Sequence, residues 1–186
     1  MIHEWRSYRL KPGAAAEYLT LLADEGLPLV TRHLPLMGYW LAETGALNVI
    51  HHLWSYASWA EREAARAGLA TEEGWTHGFI PRAFALVEEQ QNRLLRLDRC
   101  SAAFEAALSR RRNPHPARAA GAPLFTAECA GLVIGRPIED AVADWTPLTG
   151  DPRPLSLLPR RADPVPAAPL SGADHTVLRP LVFSPL

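Results

Sequence analysis

Cysteine is scarce in this chain, and long apolar runs are absent from it. Its 186 residues include two cysteines, Cys100 and Cys129, which are too few for a disulfide framework and have no metal-ligand spacing. No apolar run approaches the roughly 18 residues that a membrane-spanning helix needs, and no basic segment followed by an apolar one opens the chain. We therefore expect a cytoplasmic protein that binds no metal and does not enter a membrane.

An excess of one charge is also missing. The 19 Lys and Arg residues nearly balance the 20 Asp and Glu residues, giving a formal net charge of −1. Without a long-range field of one sign, the chain is not expected to bind nucleic acid or an anionic membrane surface. The glycine-rich loops that cradle nucleotide phosphates and the G-x-S-x-G elbow of serine hydrolases are absent too. The sequence therefore predicts neither a bound cofactor nor a serine hydrolase.

Proline is abundant but unevenly distributed. Four of the 17 prolines lie in residues 1–113, and the other 13 follow Asn113. Because proline removes a backbone donor and interrupts helices and central strands, we expect most regular structure in the first half. The second half is predicted to be an extended arm with a helix over 98–112, a strand over 125–134, a short helix over 138–145, an extended segment over 151–170 and a β segment over 176–183.

The first half alternates strand and helix patterns. Apolar and polar residues alternate over residues 1–10, and an amphipathic pattern over 14–27 is closed by Gly26 and Pro28. Ser58 and Glu61 form a capping box for a further helix, which we expect to end at Gly68. The remaining predicted elements are a hairpin with strands 36–43 and 47–54, a helix over 71–85 and a strand over 87–97.

This order of elements is that of a ferredoxin-like α+β domain. An antiparallel sheet with helices on one face would leave a large apolar surface uncovered on its other face. A patch of that kind usually marks an interface, and sheet-to-sheet pairing in a two-fold dimer would bury it. We therefore expect a homodimer formed through the sheet face.

Several short motifs in residues 1–97 resemble the NIPSNAP family. The chain opens with M-I-H-E-W-R-S-Y-R-L and the turn K-P-G, and H-L-W-S-Y follows at 52–56. Shorter matches are E-G-L at 25–27, E-T-G-A-L-N at 43–48, F-I-P at 79–81 and Q-Q-N-R-L-L at 90–95. Their order and spacing carry the resemblance, which implies a dimeric α/β barrel and no established reaction. The chain departs from the family pattern at Gln91, Trp5 and His51.

The second half lies outside this resemblance except for its ending. The last four residues, F-S-P-L, resemble the ending that short family members place directly after the final strand. Two interpretations remain open: a decayed second repeat that kept its final strand, which we favour, or an insertion before that ending. We thus expect a NIPSNAP-like domain over 1–97 and a proline-rich C-terminal extension over 98–186.

The adjacent histidines His51 and His52 lie in one predicted strand. Strand neighbours point to opposite faces, so this pair cannot bind one metal ion together. His51 shares a face with Val49 and Leu53, which we predict to be the helix-facing side. A histidine in an apolar cavity there is a candidate general base, since its pKa lies near working pH. The alternative for both residues is a packed, hydrogen-bonded histidine.

Other candidate site residues lie on the flanking elements. Arg6 could hold a carboxylate or an enolate, and Asn92 could donate to a developing oxyanion. An internal Glu–Arg pair and a bond to neighbouring backbone are the structural alternatives for these two. The candidates for lining a substrate pocket are Tyr8, Tyr39, Trp40, Trp75 and His77.

These features lead to two hypotheses. By analogy with related barrels such as antibiotic-biosynthesis monooxygenases, the chain would be a cofactor-independent enzyme of bacterial secondary metabolism. It would oxygenate, isomerise or cyclise a flat hydrophobic molecule through an enolate-like anion, with His51 as base and Arg6 and Asn92 steadying the anion. The alternative is a non-catalytic dimeric binding or scaffold protein that assists a partner enzyme. A cavity between sheet and helices with His51 in its wall would favour the enzyme.

Overall fold

Eight antiparallel strands of one chain close into a barrel in the computed structural model, which describes all 186 residues. The strands run in the order β1-β3-β2-β8-β5-β7-β6-β4, and β4 pairs with β1. They are β1 (Ile2–Leu10), β2 (Leu36–Ala42), β3 (Val49–Tyr56), β4 (Val87–Cys100), β5 (Cys129–Ile134), β6 (Ala143–Pro147), β7 (Leu155–Arg161) and β8 (Asp174–Pro180).

Helices cover the outer side of the sheet formed by β1 to β4. The helices are α1 (Ala15–Leu21), a π-helical turn (Leu22–Gly26), α2 (Leu27–Val30), α3 (Trp59–Ala70), a second π-helical turn (Gly74–Phe79), α4 (Ile80–Phe84) and α5 (Ala102–Arg110). Tyr18, Leu27 and Phe79 pack from these helices against the sheet. α5 differs, because this helix lies over one end of the barrel. Its Phe104 packs on Trp145 in the barrel interior. None of the helices is long and apolar enough to cross a lipid bilayer.

Strand alternation creates two separate cores. Tyr8, Ile50 and Trp54 point outward and pack with the helices, whereas Trp5 and Leu53 point into the barrel. Both faces of the β1–β4 sheet are therefore apolar, one against the helices and one against the strands across the barrel. The predicted strands of the first half are confirmed, and the α+β class of its fold is too.

The second half of the chain is not an extended arm. β5 to β8 pair in the order β8-β5-β7-β6, which repeats the order β4-β1-β3-β2 of the first half. No helix lies between β5 and β8. This is the arrangement of a ferredoxin-like repeat without its helices, although descent from a repeat stays a prediction. The expected domain boundary at residue 97 falls inside β4.

Three of the 13 prolines in the second half lie in strands, at positions that need no ladder donor. Pro147 and Pro180 are the last residues of β6 and β8. Pro159 lies in β7 where the register with β5 shifts, and where β6 no longer pairs with β7. Proline is tolerated at strand ends and at such irregularities. The extended arm predicted from the proline content is therefore wrong, because this region forms strands.

Local signals at the helix ends had mixed outcomes. The Oγ of Ser58 accepts a hydrogen bond from the backbone N–H of Glu61 at 3.1 Å, as the capping box predicts. The helical path continues past Gly26 to Val30, because Pro28 occupies the first turn of α2, where a missing N–H costs little. Likewise α3 runs past Gly68 to Ala70.

Two further predictions in the second half differ from the structure. The helix expected over 98–112 is present but begins only at Ala102, because β4 continues to Cys100 and Ser101 caps the helix through its Oγ, which accepts from the N–H of Phe104. The short helix expected over 138–145 is instead a loop followed by β6, in which Trp145 is fully buried. Pairing with β4 and β7 stabilises a strand there.

The sheet face assigned to a second subunit is covered by the chain's own strands. Trp5, Trp40 and Leu53 share one apolar cluster with Leu132 and Leu157 of the second half. Burial of this face therefore needs no second chain. A homodimer through it stays a prediction that would require the barrel to open.

Candidate small-molecule site

A cavity of about 250 Å³ lies between the outer face of the β1–β4 sheet and the helices. Arg6 and Tyr8 are two residues apart on β1, and His52 and Trp54 are two residues apart on β3. Residues with this spacing share one face of a strand, so these four side chains point to the same side of the sheet. Further apolar and aromatic lining comes from Tyr18, Leu27, Tyr39, Leu69, Trp75 and Phe84. The cavity is thus mainly apolar, with a few polar groups at one side.

His52 is the central polar group of this cavity. Its Nδ1 accepts a hydrogen bond of 2.6 Å from the indole Nε1 of Trp54. Because an indole N–H can only donate, the ring proton of a neutral His52 must sit on Nε2. That Nε2 is buried and has no hydrogen-bond partner. The site therefore presents one unused N–H donor.

Aromatic neighbours hold the His52 ring in place and keep it neutral. The ring stacks on Tyr39 with centroids 4.9 Å apart at 7°, and the edge of Tyr8 meets it at 4.8 Å. Burial, followed by the nearby charge of Arg6, keeps the pKa of His52 well below its ordinary value. A neutral imidazole of this tautomer is a donor rather than a base.

Arg6 and Tyr8 form a second polar group beside His52. The Nε of Arg6 donates to the phenolic oxygen of Tyr8 at 3.0 Å, and its Nη1 donates to Glu4 at 3.0 Å. The hydroxyl proton of Tyr8 is not used in that contact, since its oxygen is the acceptor. Burial raises the pKa of Tyr8, so its phenol stays protonated. The side chains of this pair thus offer donors to a ligand.

Glu4 is fully buried behind this pair and is saturated with donors. Its carboxylate accepts from Arg62 at 2.9 and 3.0 Å, from Asn92 at 2.9 Å and from Arg6. Burial by itself would raise the pKa of Glu4, yet the hydrogen bond from Arg62 and the neighbouring arginine charges hold that pKa below its ordinary value. Glu4 is therefore a fixed counterion and not a free general base.

Arg66 leaves positive charge uncompensated at the cavity. This side chain of α3 lines the cavity and is half-buried, yet it makes no ion pair or side-chain hydrogen bond. The single negative charge of Glu4 is already shared between Arg6 and Arg62, so no carboxylate pairs with Arg66. The cavity therefore favours a ligand that carries negative charge.

The structure places the predicted pocket-lining residues in three different environments. Tyr8, Tyr39 and Trp75 do line the cavity, and Arg6 lies among them. Trp40 is instead inside the barrel, where it stacks on Trp5 at 5.3 Å. His77 is exposed and is not part of the wall. Asn92 reaches the site only through its bond to Glu4.

His51 does not face the helices. It points into the barrel, where its Nδ1 lies 3.2 Å from Trp5 Nε1 and 2.8 Å from Ser7 Oγ. Burial lowers its pKa to about 4. The parity that separated His51 from His52 is correct, but the faces are exchanged. The proposed role of His51 as base in this cavity is therefore withdrawn.

His52 and Arg66 are the site residues that sequence reasoning missed. His52 carried a usable signal, because Trp54 shares its face two residues further on and provides a donor for its ring. Arg66 carried none, since an arginine on a helix is usually solvated. The structure holds no group of three or more His, Cys, Asp or Glu side chains placed to bind a metal ion.

Comparison with curated proteins places the first half of the chain among NIPSNAP proteins. It is 34% identical over 95 residues to human protein NipSnap homolog 3A, and 30% identical over 97 residues to zebrafish NipSnap homolog 1. These matches cover 50% of the chain, but only 38% and 33% of the two relatives. The chain therefore corresponds to roughly a third of their length.

Solved structures give the same result for the fold. A NIPSNAP family protein of unknown function from Agrobacterium tumefaciens is 37% identical, with a TM-score of 0.52, over 55% of this chain and 92% of its own. A NIPSNAP domain protein from Burkholderia xenovorans is 34% identical, with a TM-score of 0.50, over 52% and 93%. Both match about half of the barrel.

The whole chain matches one further fold. A Lactobacillus acidophilus protein described as a candidate monooxygenase covers 96% of this chain and 93% of its own, with a TM-score of 0.55 and 8% identity. At that identity the match concerns the fold alone. The sequence profile of the NIPSNAP family matches residues 3–102, more than half of the chain. The chain therefore belongs to the NIPSNAP family.

Proposed function

We propose that the sheet–helix cavity binds a flat hydrophobic molecule that can form an enolate or phenolate, and promotes its reaction by stabilising that anion. The observation that carries this proposal is the buried, unpartnered Nε2–H of His52, placed beside Arg6 and Arg66 in an aromatic cavity. A buried donor without a partner has a free-energy cost of about 1–3 kcal/mol. An acceptor atom of a ligand would remove that cost.

The geometry supports catalysis by anion stabilisation. An enolate or phenolate oxygen would accept from His52 Nε2–H, while the guanidinium groups supply positive charge. Preorganised donors of this kind act strongly in a cavity from which water is excluded. Since Glu4 is saturated and His52 is a donor, the ligand would release its proton to water at the opening of the cavity, which is not fully enclosed. Isomerisation or cyclisation would need no other reactant, and oxygenation would use dioxygen.

The fold adds support at the level of analogy. The candidate monooxygenase from Lactobacillus acidophilus shares the overall fold of the chain. A shared fold alone does not define a reaction, so the proposal depends on the residues of the site. A role in bacterial secondary metabolism, without a cofactor, belongs to the same proposal. The aromatic lining of the cavity is its basis, and the 18 arginines beside the single lysine, Lys11, suit a GC-rich bacterial genome.

One observation favours the non-catalytic alternative. No carboxylate lines the cavity, and its one histidine holds a proton on the nitrogen that faces no protein partner. A site without a general base is suited to retaining an anionic ligand and delivering it to a partner enzyme. The two functions differ in whether proton removal from the ligand becomes faster on binding.

The proton exchange of 2-tetralone, a flat enolisable ketone, separates these functions. The protein is mixed with this probe in D2O, and loss of the α-proton signals is followed by NMR. The enzyme proposal predicts faster exchange than in buffer, reduced about tenfold or more in Arg66→Met because an anion-stabilising group is lost. The exposed variant His77→Ala serves as control and should match the unmodified protein. Binding without faster exchange would favour the carrier function, and absence of both would contradict the proposal.

A further inference from the structure

A second cavity, of about 170 Å³, opens at the barrel end opposite α5. Trp5 and Ser7 of β1 and His51 of β3 line it, together with residues of β4, β5 and β7. It shares no lining residue with the sheet–helix cavity. Because the sheet separates the two cavities, a ligand in one cannot contact the side chains of the other.

His51 offers a free donor to this barrel-mouth cavity. The indole N–H of Trp5 donates to His51 Nδ1 at 3.2 Å, and the Ser7 hydroxyl lies 2.8 Å from the same nitrogen. Since the indole can only donate, neutral His51 holds its proton on Nε2. No protein group accepts from that Nε2–H. The tautomer is therefore fixed in the form that donates to the cavity.

Arg93 brings a cation with an unpartnered donor to the same place. Its Nη1 is buried and has no hydrogen-bond partner. Its Nη2 lies 3.5 Å from Asp151, at the limit of a hydrogen bond, while that carboxylate accepts a closer bond of 2.8 Å from Arg153. Desolvation lowers the pKa of Arg93, and the nearby charge of Asp151 opposes that effect only in part.

The rest of the lining decides what kind of anion fits. Arg9 and Glu89 at the rim pair with each other at 3.2 Å and cancel in charge, so Arg93 is the remaining charged residue of the lining. The second half of the chain contributes an apolar wall of Leu132, Ile134 and Leu155. A ligand must therefore combine a negative head group with an apolar portion.

We propose that the barrel-mouth cavity binds a small carboxylate with a short apolar or aromatic tail. Its oxygens accept from Arg93 and from His51 Nε2–H, and its tail lies against the leucine and isoleucine wall. Planar guanidinium groups match carboxylates well, and charge-assisted hydrogen bonds of this type are the strong ones. This site does not depend on the function proposed for the sheet–helix cavity.

Benzoate titration with matched variants tests the site. Binding is followed by calorimetry and compared with that of the neutral isostere benzamide. We expect benzoate to bind more tightly than benzamide, and Arg93→Met to weaken benzoate by roughly tenfold or more because the charge-assisted bonds are lost. Arg96→Met, which changes an exposed arginine of the same strand that lines neither cavity, should leave benzoate affinity unchanged. Loss of binding in Arg66→Met but not in Arg93→Met would overturn the proposal.

A second measurement uses the unmodified protein, in case Arg93→Met does not fold. NMR cross-relaxation between benzoate ring protons and protein side chains locates the bound ligand. Contacts with the methyl groups of Ile134, together with a shift of the His51 Nε2 resonance, are the expected result. Contacts with Trp75 or Ile80 of the sheet–helix cavity instead, or no contacts at saturating benzoate, would contradict the proposal.

Discussion

His52 and Trp54 define each other's role through one hydrogen bond. Parity along β3 shows from the sequence alone that both share a face, and that His51 lies on the other. Which face meets the helices could not be predicted, because the barrel interior is as apolar as the helix side. In a sheet with one solvent-exposed face, polar residues would mark that face in the sequence. The prediction that His51 is the base of the sheet–helix cavity is wrong for that reason.

Buried neutral histidines predict a loss of stability in mild acid. Burial is the main cause that lowers the pKa of His3 and His51 to about 4. The unfolded chain binds these protons near pH 6.5 and the native state does not, so the unfolded state holds more protons below that pH. The free energy of unfolding should therefore fall between pH 6.5 and about 4, by up to roughly 1.4 kcal/mol per pH unit for each histidine.

Urea unfolding at several pH values, with His3→Phe for comparison, checks this prediction. Both ring nitrogens of His3 are buried without a partner, and the ring contacts Phe104 and Trp145. A phenyl ring keeps those contacts and removes the unsatisfied polar atoms. We expect the variant to be more stable than the original protein at pH 7 and to show a shallower loss in acid. A steeper loss, or none in either protein, would contradict the protonation account.

Glu4 holds the donors of the sheet–helix site together. Glu4→Gln removes a buried charge and leaves Arg62 and Arg6 without their counterion, which should lower the free energy of unfolding by about 3 kcal/mol. The control is Glu89→Gln, whose ion pair with Arg9 is largely exposed, and a change below about 1 kcal/mol is expected there. Equal effects of the two substitutions in urea unfolding would show that burial of Glu4 does not matter.

At the level of elements, long periodic patterns were more informative than single residues. Strands β1 to β4 follow from alternation and the helix cap from Ser58. Gly26 and Pro28 predict a helix end. In the structure Gly26 is instead the last residue of a π-helical turn, and Pro28 lies in the first turn of α2. Packing against the sheet outweighs the local preference of these residues, because most helix stability in proteins comes from tertiary contacts.

The close approach of Gly26 to Phe79 gives a test of that packing. A Cβ added at Gly26 would lie 2.6 Å from the Phe79 ring, whereas one added at Gly78 would meet nothing within 4 Å. We expect Gly26→Ala to destabilise the protein by about 1–3 kcal/mol through overpacking. Gly78→Ala should be neutral or stabilising by about 0.5–1 kcal/mol, as for an open helical site. Thermal unfolding measures both, and the reverse order would refute this packing.

At the scale of the whole molecule, the tail completes the barrel. The sequence indicates a second apolar face on the β1–β4 sheet, and the structure has one. The sequence could not show what covers the face, because the covering strands are short, proline-containing and distant in sequence. Pairing of β2 with β8 and of β4 with β6 joins the two halves. Such long-range pairings leave little local signal in a chain.

Removal of the second half should therefore expose the barrel interior. A chain of residues 1–113 would leave Trp5, Trp40 and Leu53 without the strands that cover them. We expect this fragment to dimerise or aggregate, since association would bury the exposed apolar face. Light scattering after size-exclusion chromatography measures the mass. A fragment that stays monomeric at high concentration would show that the sheet face needs no cover.

The acidity of a bound phenol tests the central claim most directly. 7-Hydroxycoumarin is flat, and its phenol and phenolate absorb at different wavelengths, so its pKa can be measured with the protein in excess. Binding beside His52, Arg6 and Arg66 should lower this pKa, and Arg66→Met should return it toward the value in buffer. An unchanged or raised pKa of the bound probe would contradict a cavity built to stabilise an anion.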